Sequence, residues 1–147
     1  MKIKSLITAL LCCFLLSGAA LAEAQWYTDW DKAEKASKAQ NKPILIDFTG
    51  SDWCGWCIKL HDEVFSTAEF KSWAEKNVVL LEIDFPRESK ITAEQKAENE
   101  ALAKKFGVQG FPTIIFAKAD GSELGRYGYD KGGPKVWTAK ASKMLKK

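Results

Sequence analysis

Histidine occurs once in this chain of 147 residues, at His61, and cysteine only four times. Those two scarcities exclude most metal chemistry. A tetrahedral zinc site takes about four ligands in set spacings, and Cys54, Cys57 and His61 fall short of it. A c-type haem needs histidine directly after the second cysteine of a close pair, where this chain has Ile58. Nor is there an excess of charge. The formal net charge is +3, but Lys2 and Lys4 stand in an N-terminal leader; without them 20 basic side chains face 19 acidic ones, a net charge of +1. That balance gives no electrostatic case for nucleic acid or an anionic membrane surface as a partner. A long apolar run is missing too: Leu6 to Leu16 is too short to cross a bilayer, which takes about 20 residues. No internal repeat or second compositional block divides the chain.

What is present suffices for one domain with a packed core, since 46% of the residues are apolar and 12% aromatic. Residues 1–22 read as a Sec-type signal peptide. Lys2 and Lys4 precede the apolar run, and Ser17-Gly18-Ala19-Ala20-Leu21-Ala22 ends it with small residues of the Ala-x-Ala kind. Cleavage is expected after Ala22, or alternatively after Ala24. Residues 23–147 then form a single domain, periplasmic or secreted and not inserted in a membrane. Cys12 and Cys13 leave with the leader, so Cys54 and Cys57 are the cysteines that remain. Closing so short a loop adds little stability, and an exported chain with one such pair is not a disulfide-stapled scaffold. The pair is there to react.

Its setting points the same way. Pro43-Ile44-Leu45-Ile46-Asp47-Phe48 has the apolar character of a strand buried on both faces, and a helical pattern begins near Ile58. Trp53-Cys54-Gly55-Trp56-Cys57 therefore falls where a loop enters a helix. Two intervening residues put both sulfurs on one face of the first turn, within reach of an S–S bond of about 2 Å. At the helix start Cys54 meets N–H groups that lack helical partners and the positive end of the helix dipole, both of which favour thiolate. Cys54 is the expected nucleophile and Cys57 the resolving thiol, with Cys54 the accessible one of the two. Asp47 interrupts the apolar run, either as a buried functional carboxylate or as the polar end of a strand. His61, one turn beyond Cys57, reads as an exposed or structural histidine, with a role in tuning the thiols as the alternative.

The remaining elements follow from periodicity and punctuation. One helix is expected over Trp26–Asn41 and a kinked or double helix over Ile58–Asn77, with a fresh N-cap and capping box at Ser66-Thr67-Ala68-Glu69. A strand covers Val78–Phe85, and a charged surface linker runs from Pro86 to Gln95. Thr92-Ala93-Glu94-Gln95 can cap the next helix, which runs through Ala101, Leu102 and Phe106 and stops at Gly107, a glycine suited to the left-handed conformation. Antiparallel strands over Thr113–Ala117 and Glu123–Tyr129 meet around Asp120-Gly121. A terminal helix over Pro134–Leu145 carries the apolar stripe Trp137, Ala141, Met144 and Leu145.

Asp47-Phe48, Trp53-Cys54-Gly55-Trp56-Cys57 and Gly110-Phe111-Pro112-Thr113, in that order, resemble the thioredoxin family over roughly Asp31 to Leu145. The resemblance implies an α/β fold, a central mixed β-sheet flanked by helices. It implies that Pro112 is cis and opposes the disulfide, while Phe111 offers backbone hydrogen bonds to a bound substrate strand. Trp53, Gly55, Trp56, Gly110, Phe111, Pro112 and Thr113 would form the substrate-binding rim. Asp47 is similar to the family's buried aspartate, which helps deprotonate the resolving cysteine. It stands seven positions before Cys54 where thioredoxin has six, so Thr49-Gly50-Ser51-Asp52 must absorb one residue as a looser turn.

The expected function is that of an exported thiol–disulfide oxidoreductase acting on protein disulfides, with no cofactor and no metal, supplied by a membrane or soluble electron donor. Thioredoxin itself carries Gly-Pro between its cysteines and is reducing, whereas oxidising relatives often carry a histidine there. Trp56 supplies no charge, so a reductase or isomerase is expected rather than an oxidase. Two alternatives belong to other classes: a redox-silent binding or chaperone-like module on the same fold, and a copper-handling dithiol protein. Insulin reduction tests the first and metal retention on purification the second.

Overall fold

The computed structural model describes residues 24–146; the expected signal peptide lies outside the described residues. The centre of the fold is β2, Ile44–Thr49, in which every residue is buried, as its apolar run requires. Beside it on one side lies β3, Val79–Asp84, parallel to it, and on the other β4, Thr113–Ala117, antiparallel. The two-residue β1, Trp26–Tyr27, adds to the free edge of β3, and β5, Glu123–Tyr127, closes the opposite edge against β4. The sheet is thus mixed and five-stranded, in the order β1-β3-β2-β4-β5.

Strand β1 corrects the single helix expected over Trp26–Asn41. Helix α1 covers only Trp30–Gln40, because the Asp29 carboxylate accepts the Lys32 N–H at 2.9 Å and fixes the helix start there. The aromatic residues before this cap have better use at the sheet. Trp26 packs on Phe65 and Phe70, at centroid distances of 5.4 and 6.4 Å. The next helical stretch is double, as expected. It consists of α2, Gly55–Leu60, a π-helical turn over His61–Phe65, and α3, Ala68–Asn77. Thr67 caps α3 by accepting the Phe70 N–H, so the cap falls one residue later than a Ser66–Glu69 box would put it. Ser66 instead donates its hydroxyl to the Asp62 carbonyl at 2.9 Å. Helix α4, Ala93–Lys105, is capped as expected by Thr92, which accepts the Gln95 N–H at 3.1 Å, and Gly107 follows with φ 61°. Helix α5, Gly133–Met144, has Pro134 in its first turn.

Alternation along β2 sorts the core into two layers. Ile44, Ile46 and Phe48 face α1 and α4, where they meet Ala33, Leu102 and Phe106. Leu45 faces the other way, with Leu80, Ile114 and Phe116, against Leu60, Phe65, Phe70, Trp137 and Ala141. Trp137 is fully buried and donates its indole N–H to the Gly128 carbonyl, so truncating it would cost about 3–5 kcal/mol. Asp47 shares the parity of Leu45, which places a carboxyl on the face that α2 covers.

Candidate active site

Cys54 is the N-cap of α2, and its sulfur accepts the Cys57 N–H at 3.3 Å. The two cysteines are joined as a disulfide, with Cα atoms 5.2 Å apart. In this oxidised pair Cys54 is 7% exposed and Cys57 4%, so exposure hardly separates them. What separates them is what each faces: Cys54 the open N–H end of the helix, Cys57 a cleft beneath it. A tight turn holds the helix start, the Trp53 and Cys54 N–H groups both donating to the Gly50 carbonyl at 3.2 and 2.8 Å. Gly50 has to be glycine, since a Cβ there would lie 2.5 Å from the Trp53 ring.

The cleft has a volume of about 320 Å³ and is lined by Asp47, Cys57, His61, Asp62 and Glu82 among others. The turn therefore leaves Asp47 in the same cleft as Cys57 despite the seven-residue spacing. Asp47 is 6% exposed, and its Oδ1 has no hydrogen-bond partner. Burial, and then the neighbouring carboxylates of Glu82 and Asp84, push its pKa well above the ordinary 3.8. Glu82 is raised as well, by burial first and then by Asp84, while His61 draws it down. Such a carboxyl holds a proton far more readily than one in water, which suits it to proton transfer next to a thiol. Among the described residues, no group of three or more His, Cys, Asp or Glu is placed to hold a metal ion.

One flank of the pair is an aromatic wall. The Phe111–Pro112 peptide is cis, and the Thr113 hydroxyl donates to the Gly110 carbonyl at 2.7 Å. Phe111 meets Trp53 edge-on at 6.0 Å and stacks on Phe85 at 5.1 Å. Trp53 in turn donates to the Phe85 carbonyl at 2.7 Å and carries the Arg87 guanidinium 3.8 Å above its ring. Asp52 anchors this loop by accepting the N–H groups of Arg87, Glu88 and Ser89 at 2.8–2.9 Å, which hold its carboxyl below the ordinary 3.8. Trp56, apart from this wall, is 57% exposed, with the Tyr129 ring 5.1 Å away. Tyr129 is fixed by donating its hydroxyl to Glu63, which also pairs with Lys59. Gly55 and Gly110 are exposed, with open space where a Cβ would stand. Of the aromatic rim residues, then, Trp53 is tied into the wall and Trp56 is free to be covered.

Sequence reasoning missed four residues of this neighbourhood. Glu82 carried a usable signal, a carboxylate inside an apolar strand, the same sign that singled out Asp47. Arg87 and Tyr129 carried none, and Gly50 only that of a turn residue, because each matters through a contact with a tryptophan that only the folded chain makes.

A family model described as a thioredoxin-like domain matches residues 30–132. The disulfide bond reductase DsbH of Chlamydia pneumoniae is 39% identical over 127 residues, covering 86% of this chain and 76% of that protein. The thiol:disulfide interchange protein DsbD of Ralstonia nicotianae is 31% identical over 106 residues, 72% of this chain but only 16% of that much longer protein. Among solved structures, a DsbH oxidoreductase superposes with a TM-score of 0.81 at 34% identity, covering 99% of this chain and 95% of the other. The C-terminal domain of Neisseria meningitidis DsbD, in its oxidised form, has the same fold at a TM-score of 0.60 and 20% identity, covering 81% of this chain and 98% of that one. The chain belongs to the thioredoxin family, as a thiol:disulfide oxidoreductase whose redox pair is Cys54–Cys57.

Proposed function

We propose that the protein is exported and works on protein disulfides as a reductase or isomerase, with Cys54 as nucleophile, Cys57 as resolving thiol and Asp47 as the base that serves Cys57. The observation that carries this is the placing of the pair: Cys54 caps α2, while Cys57 shares its cleft with a buried carboxyl that has no hydrogen-bond partner. The Cys54 thiolate attacks a substrate disulfide, one substrate thiol leaves, and a mixed disulfide remains. Cys57 then attacks Cys54, releasing the second substrate thiol and closing the pair. The exposed Trp56, together with Gly110 and Phe111, offers an extended segment of that substrate an apolar seat and free backbone. Similarity to a protein named as a disulfide bond reductase supports the direction. So does the absence of a charged residue between the cysteines, where Gly55 and Trp56 stand.

Turnover in this direction consumes electrons, so a membrane or soluble donor must re-reduce the pair. The leader over residues 1–22 supports export. Among the described residues no helix is long and apolar enough to cross a membrane. Redox equilibration with glutathione tests the direction. The expected potential lies between about −180 and −270 mV, and a value near about −120 mV would reverse the reading to an oxidase. Capture in cells tests the roles: Cys57→Ala should accumulate mixed disulfides with client proteins, and Cys54→Ala should not.

A further inference from the structure

Glu82 has no part in the function described so far, yet it stands in register with Asp47 across the parallel β2–β3 pair, as Asp84 does with Thr49. Neighbouring strands lie about 4.8 Å apart, and paired residues point to the same face, here the one under α2. Both carboxyls line the cleft that Cys57 faces. Thr49 and Ser51 line the cleft as well. Strand β3 supplies Glu82 and Asp84, the π-helical turn His61 and Asp62, and α2 Cys57 and Ile58; β4 sets the apolar Ile114 beside Asp47. No lysine or arginine lines the cleft among the described residues. Asp84 is already engaged, accepting the N–H and hydroxyl of Ser51. The Asp47 Oδ1 is without a partner, and Glu82 is its half-buried neighbour toward the exposed His61 and Asp62.

We propose that Glu82 is a positioning residue for the resolving step, its carboxylate beside Asp47 making Asp47 a base strong enough for Cys57 and giving the proton a way out through the cleft. The inference rests on the reading of Asp47 as the base for Cys57. In that step the Cys57 thiol gives its proton to Asp47 and its sulfur attacks Cys54. The Cys54–Cys57 bond forms as the bond from Cys54 to the substrate sulfur breaks, and the electron pair leaves with the substrate thiolate. A free carboxylate binds a proton about four pH units less tightly than a thiolate does, so it takes one from Cys57 inefficiently. Burial narrows that gap, and a like charge on the next strand narrows it further. The second effect is the one that Glu82 controls.

The test is a single-turnover reaction of the reduced protein with an aromatic disulfide whose released thiolate is coloured, followed from pH 5 to 9. Cys54 releases the first equivalent and Cys57 the second. In the wild type, the second phase should slow on the acid side with a carboxyl midpoint. Glu82→Gln should move that midpoint down by about one pH unit and slow the plateau several-fold, with the first phase unchanged. Glu82→Asp should restore both. Asp47→Asn should slow the second phase by about 10²-fold and abolish the midpoint. An unmoved midpoint in Glu82→Gln, alongside a slow Asp47→Asn, overturns this inference and leaves Asp47 as the base. A normal second phase in Asp47→Asn overturns the reading of Asp47 and the inference with it. A cooperative thermal melt of each oxidised variant shows that the chain is folded.

Discussion

Replacing Asp47 with asparagine should stabilise the folded protein, and the size of the gain should depend on pH in a set direction. Asp47 is 6% exposed, one of its oxygens has no partner, and its two nearest charged neighbours on β3 are both carboxylates. Each of these disfavours the ionised form in the folded state only. The folded pKa therefore lies above the unfolded one, and between the two the folded state holds a proton that the unfolded state has lost. Stability then falls as pH rises through that window, by up to about 1.4 kcal/mol per pH unit for one such group. Below the ordinary 3.8 the penalty is absent, and above the raised folded value it is complete. Asparagine is neutral throughout, and its buried amide costs about 1–3 kcal/mol if unpaired, much as the protonated acid does. Asp47→Asn and the wild type should therefore melt alike near pH 4. The variant should then gain progressively toward pH 8, with each kcal/mol worth about 3–6 °C in a domain of this size. Thermal melts of the oxidised proteins from pH 4 to 8 measure the gap with no thiol titrating. A gap that is flat with pH, or a variant less stable than wild type at pH 8, would refute the reasoning.

Trp56→Ala should lower the rate against a protein disulfide by about 5- to 30-fold, the range for an exposed aromatic anchor, and leave the reaction with a small aromatic disulfide unchanged. Equal losses on both substrates would make Trp56 a structural residue, held for its contact with Tyr129. Asp52→Ala should lower the thermal midpoint at neutral pH, since three N–H groups of the Arg87–Ser89 loop lose their acceptor. Asp52 has a depressed folded pKa, so its contribution is present above the ordinary 3.8 and is lost as pH falls through the lower folded value. The gap should narrow there, and a gap independent of pH would contradict it. Intact mass of the exported protein should show the chain beginning at Glu23 or Gln25. A mass that retains residues 1–22 in a membrane fraction would overturn the export reading.

The legible parts of this fold are those whose cause is local. Ile44–Thr49 is a strand because its own residues have to be buried, Cys54 caps a helix because a helical pattern starts just after it, and Gly107 ends one because only a left-handed residue fits there. Strand β1 was not legible. Two residues carry no periodicity, and Trp26–Tyr27 is a strand only because β3 leaves an edge beside it. The start of α3 lies one residue beyond the expected box for a related reason: Ser66 is the better cap in isolation, and the π-helical turn before it leaves Thr67 as the residue used. The site divides along the same line. The cysteine pair announces itself by spacing, while the seven-residue spacing from Asp47 to Cys54 says nothing of the cleft that Asp47 shares with Cys57, which only the folded turn at Gly50 creates.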